Sequence, residues 1–148
     1  MKRILVITAL TLAVSPLVLS QAKPNFSGVW KLQSTQVREV LKIEHQEPSI
    51  HMIYDIEDNA GKRILDLRVM TDGKEHKQEV QGLPATLIAK WEGEALILEI
   101  KRQASFGLVH NRRTMKLSKD GKIITAERIN FSPDAEEISK WTETWQKQ

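Results

Sequence analysis

Three side chains in this sequence set aromatic or cationic chemistry on an otherwise apolar face. Tyr54 alternates with Met52 and Ile56, Trp91 with Ala89 and Leu87, and Arg113 with Asn111 and Met115. Arg128, at the end of another strand-like stretch, is a second candidate cation. Where such faces line an interior, aliphatic walls with one or two arginines suit an amphipathic molecule with an anionic head. A guanidinium offers a rigid fork of donors to a carboxylate or phosphate. The candidate ligand-binding residues are therefore Tyr54, Trp91, Arg113 and Arg128.

Other chemistries find little support. The chain has no Cys and no Gly-x-Ser-x-Gly, and no Ser, His and Asp fall into a recognisable nucleophilic grouping. No Gly-rich phosphate loop is present. The carboxylate pairs Glu92/Glu94 and Glu136/Glu137 lie in turn-like stretches where a solvated surface is expected, and nothing in the sequence points to the burial that acid–base chemistry needs. His45 and His51 flank Glu47-Pro48, but their separation matches no familiar metal-ligand spacing. The expectation is a protein that is not an enzyme and carries neither metal nor cofactor.

The elements that must position these residues begin after an export leader. Lys2 and Arg3 precede an apolar run from Ile4 to Leu19, and Ser20-Gln21-Ala22 places small residues at a cleavage site before Lys23. That three-part pattern reads as a secretory signal peptide over residues 1–22. Pro16 and the length of the run argue against a retained membrane span. Residues 23–148 then form one domain, long enough to bury a proper core. The leader holds two of the 22 basic residues, which leaves 20 against 19 acidic ones and a net charge of +1 in the mature chain. Basic and acidic residues alternate along it, so no nucleic-acid-binding face is expected. An exported chain without Cys has no disulfide scaffold. The short leader fits a bacterial protein of the periplasm or the medium.

The mature region alternates with a period of two. Ile50, Met52, Tyr54 and Ile56 share one face, as do Leu65, Leu67 and Val69, and again Leu96, Leu98 and Ile100. Turn signals separate these stretches at Glu47-Pro48, Asn59-Ala60-Gly61, Asp72-Gly73, Glu92-Gly93 and Asp120-Gly121. The pattern predicts nine or ten strands, near 27–34, 37–46, 49–57, 62–71, 74–80, 85–91, 95–103, 109–118, 122–131 and 138–146. Ser132-Pro133 followed by acids predicts at most one helical turn. Sequential hairpins without crossovers point to an all-β, antiparallel up-and-down meander barrel of about eight to ten strands.

Three local stretches carry a family resemblance. Phe26-Ser27-Gly28-Val29-Trp30-Lys31-Leu32 resembles the first strand of lipocalins and fatty-acid-binding proteins, together the calycins. Lys90-Trp91-Glu92-Gly93-Glu94-Ala95-Leu96 is similar to a Trp-x-Gly hairpin of the same barrels, and Leu117-Ser118-Lys119-Asp120-Gly121-Lys122 to a hairpin of small secreted bacterial proteins of that type. Only Ser34-Thr35-Gln36 separates the first two strands, which leaves no room for the helical lid of fatty-acid-binding proteins. The resemblance implies a barrel closed at its narrow end by Gly28 and Trp30, with Arg128 packed over the indole and Arg113 as the second choice.

Two functional readings follow. In the first, the exported barrel holds a small apolar or amphipathic molecule. In the second, the barrel is filled by its own side chains and binds a protein partner in the cell envelope, for which Trp141 and Trp145 on one face of the last strand form a candidate ridge, unless they belong to the core.

Overall fold

A computed structural model describes residues 22–105 and 107–148, so the predicted leader at 1–22 lies, apart from Ala22, outside the described residues. Ten strands follow in order: β1 Gly28–Leu32, β2 Arg38–Gln46, β3 Ser49–Asp58, β4 Gly61–Met70, β5 Glu75–Val80, β6 Leu83–Glu92, β7 Ala95–Ala104, β8 Gly107–Leu117, β9 Ile123–Phe131 and β10 Glu137–Lys147. All are antiparallel and belong to one sheet, ordered β4-β3-β2-β1-β10-β9-β8-β7-β6-β5. The result is a nearly closed up-and-down barrel, compatible with a calycin-like fold. Among the described residues no helix is long and apolar enough to cross a membrane.

Period-two alternation sets which side of each strand is buried. Ile50, Met52, Tyr54 and Ile56 of β3 face the interior, and their partners in register on β4 are Val69, Leu67, Leu65 and Arg63. Leu41 and Ile43 from β2, Leu87 and Ala89 from β6, Leu96 and Leu98 from β7, and Ile124 and Ala126 from β9 join them. Each large side chain buried this way stabilises the fold by roughly 1.5–3 kcal/mol. Trp145 is core at 1% exposure, whereas Trp141 on the same face is 38% exposed, so the two do not form a surface ridge.

The hairpin turns follow local chemistry. Asp120 Oδ1 accepts from the Ser118 hydroxyl at 2.6 Å and from the Lys122 N–H at 3.1 Å. Gly121 beside it takes a φ of 69°, which a residue with a Cβ resists. Gln81 and Gly82 form a further two-residue turn that was not among the predicted signals. Both have positive φ, at 53° and 76°, the signature of a type I′ hairpin. No helical turn forms after Ser132. Ser132 Oγ and its carbonyl accept from Glu136 N–H and Ala135 N–H, and Ala135 at a φ of 63° turns the chain back before a helix starts.

The seam lies between β4 and β5, consecutive in sequence yet the two ends of the sheet. The Gln78 side chain spans it. The Gln78 amide accepts from Arg68 N–H at 3.1 Å and donates to the Asp66 carbonyl at 3.4 Å, standing in for a missing backbone rung.

Candidate functional site

The direction of the strands separates the barrel into two ends. The β2–β3, β4–β5, β6–β7 and β8–β9 turns and the segment before β1 lie at one of them. This end is closed by aromatic packing. Trp30 is fully buried, and its indole N–H donates to the Phe26 carbonyl at 3.0 Å. Phe26 and His45 each lie 6.0 Å from the Trp91 ring. Phe26 N–H donates to His45 Nδ1 at 3.2 Å, so the imidazole proton sits on Nε2 and is donated to Glu47 at 2.8 Å.

Glu47 is the hub of this end. Besides His45, it accepts from Trp91 Nε1–H at 2.9 Å and from the Thr71 hydroxyl at 2.6 Å. Partial burial works against its ionisation. Hydrogen bonds from Thr71, His45 and Trp91 outweigh that and hold its pKa below the ordinary 4.5. A carboxylate with a depressed native pKa lends stability above its unfolded value and loses it as pH falls through the native one. Glu47→Ala is expected to cost about 1 kcal/mol at neutral pH, because the carboxylate is partly solvated. The difference from the parent should shrink as pH falls below about 4.5. Denaturant melts of the two proteins at several pH values measure it, and a gap constant down to acid pH would refute the assignment.

Gly28 belongs to the same end. Its φ is 144°, and a Cβ there would stand 2.8 Å from Lys147 Cε. That Lys147 ammonium, 5.2 Å from the Trp30 centroid, is the cation over the indole. Arg128 does not fill this role. It stands opposite Trp141, six residues up β10 from the Lys147 that pairs with Trp30. At about 3.3 Å per residue, those positions are roughly 20 Å apart along the strand.

The opposite end holds a cavity of about 280 Å³. Aliphatic walls come from Ile56, Leu65, Val80 and Ile100, and polar groups come from Arg113, Arg128, Asn111 and Asn130, with Trp141 at the rim. Arg113 is 6% exposed, and its Nε and Nη1 have no hydrogen-bond partner. Its guanidinium lies 4.8 Å from the centroid of the buried Tyr54 ring. Arg128 lies 5.9 Å from Trp141 and forms an ion pair at 3.0 Å with Glu143 that is not aligned as a hydrogen bond. Burial, followed by the charge of Arg113, depresses the Arg128 pKa, though a guanidinium stays charged at neutral pH.

Glu39 stands just behind this cavity, opposite Ile56 on β3. It is 5% exposed, and its Oε1 has no hydrogen-bond partner. The nearest cation, Arg128 Nη2, is 4.0 Å away. Burial raises its pKa, and the charge of Arg128 only partly opposes this. Arg63 and Arg102 complete the rim, the first paired with Asp58 at 2.9 Å and the second donating to Gln81 at 2.6 Å.

Of the four predicted ligand residues, Arg113, Arg128 and Tyr54 meet at this end, with Tyr54 beneath Arg113 and not on the cavity wall. Trp91 is at the other end, held by Glu47. Glu39 and Glu143 were missed, yet the same alternation marks them: Glu39 shares the face of Leu41 and Ile43, and Glu143 that of Trp141 and Trp145. His45 points inward and His51 outward, where it meets Asp66 at 2.9 Å, so the two do not converge. A larger groove of about 660 Å³ crosses the outer face of β5–β7, but no buried polar residue lines it. Comparison with protein-family models finds no match to this chain, and comparison with curated proteins finds no significant relative.

Proposed function

We propose that the protein is an exported, non-catalytic binding protein of the periplasm or medium that holds a small anionic amphiphile in the mouth of its barrel. The observation that carries this reading is Arg113. A buried guanidinium with two nitrogens lacking hydrogen-bond partners is costly to the fold, and an anion entering the adjacent cavity would satisfy it. The aliphatic walls would take a short apolar tail. Since the interior beyond is filled by core side chains, the ligand is small: the cavity matches roughly nine waters of liquid volume.

A charge-assisted hydrogen bond contributes about 1.5–3 kcal/mol, or roughly 10- to 100-fold in affinity. Hexanoate and hexanesulfonate are therefore expected to bind one to one, and at least about tenfold more tightly than hexanol. Isothermal titration of the three against the purified protein decides the matter. Equal affinity for acid and alcohol, or binding of neither, would overturn the reading.

A further inference from the structure

We propose that Glu39 couples anion capture at Arg113 and Arg128 to the uptake of one proton from solvent. This rests on the binding reading above and adds its regulation. The groups acting on Glu39 come from four other strands: Arg128 on β9, Glu143 on β10, Arg113 on β8 and Arg63 on β4. Arg63 is paired with Asp58, and Glu143 is an acid that opposes the Glu39 charge and itself shares Arg128 at 3.0 Å. The compensation of a Glu39 carboxylate therefore falls mainly to Arg128 and Arg113, the same two cations that line the cavity.

An incoming anion competes for those cations. A sphere of the cavity's volume is about 8 Å across, comparable to a Debye length at physiological ionic strength, so salt screens ligand and carboxylate from each other only in part. Glu39 Oε1 has no hydrogen bond to hold its charge in place once Arg128 turns to the ligand. Burial already favours its neutral form. The group left with the least support is Glu39, and it takes a proton on Oε1. A protonated Glu39 also becomes a donor, which the ionised form is not.

The sign follows from linkage. Binding that takes up a proton strengthens as pH falls, by up to about tenfold per pH unit, between the Glu39 pKa of the free protein and the higher value of the complex. Hexanesulfonate is the test ligand because its own charge is fixed across that range. Titration calorimetry at one pH in two buffers of different ionisation heat counts the protons directly. The expected result is uptake of a substantial fraction of one proton by the parent protein, and none by Glu39→Gln, whose affinity no longer varies with pH.

Sulfonate binding with no buffer-dependent heat would overturn the coupling and leave the binding reading intact. Uptake that persists undiminished in Glu39→Gln would overturn the assignment to Glu39. Absence of sulfonate binding at every pH would overturn both. The count on the parent protein is informative even if the variant folds poorly.

Discussion

Arg113→Met is expected to lose anion binding and to melt at a higher temperature than the parent. The two effects share one cause. Arg113 is 6% exposed, and two of its nitrogens find no hydrogen-bond partner. Exchanging a buried charge without an ion-pair partner for an apolar side chain of similar length removes a desolvation cost, and replacement of whole buried ion pairs ranges from neutral to stabilising by about 1–4 kcal/mol, while Glu39 loses one of the cations that offset its burial. Against this stands the contact with Tyr54, 4.8 Å from the ring centroid, which contributes about 0.5–2 kcal/mol. A methionine sulfur recovers part of it. Arg128 also gains, since the neighbouring charge that opposes its own is gone.

The balance favours the variant by about 1 kcal/mol, which for a domain of this size raises the melting temperature by roughly 3–5 °C. Affinity for hexanesulfonate should fall by at least about tenfold. Calorimetric melting and titration on the same preparation read both quantities. A lower melting temperature with unchanged affinity would mean that Arg113 serves the fold alone.

Trp30→Ala should have the largest effect on stability of any single change at the closed end. The indole is fully buried, and its removal leaves the Phe26 carbonyl without the donor 3.0 Å away. Truncating a buried tryptophan costs about 3–5 kcal/mol, set against a total of about 5–15 kcal/mol for a domain. A midpoint lowered by 10 °C or more is the expected outcome of a thermal melt. Trp91→Ala provides the contrast. Its indole is only half-buried and linked to Glu47 through one hydrogen bond. A loss of under about 1 kcal/mol in Trp30→Ala would mean that the narrow end is closed by something other than this ring.

Strands and faces were legible in the sequence because both depend on nearest neighbours. The alternation around Tyr54 and Leu98 and the glycines of the turns specify where a strand runs and which side is buried. Height along the barrel is a different quantity. It depends on the register summed over every intervening strand, which no local pattern records. Trp91 and Arg113 both face inward, yet they sit at opposite ends. Trp30 and Arg128 were paired by resemblance, but the ladders set Trp30 opposite Lys147 and Arg128 opposite Trp141. Glu39 was readable as an acid on a buried face. Its proximity to Arg128, however, depends on the pairing of β2 through β1 and β10 to β9, which spans most of the chain.

The seam spanned by Gln78 inverts the usual relation between sequence and edge. β1 and β10, the first and last strands, pair with each other at the centre of the sheet, while β4 and β5, in mid-chain, are its borders. The termini are thus structural middle and the middle is structural margin. Trimming a strand from either terminus removes an interior strand and opens the sheet far from its borders. A loop spliced between Asp72 and Gly73 crosses no ladder at all. For this chain, tolerance to insertion and nicking belongs at the midpoint of the sequence, and intolerance belongs at its ends.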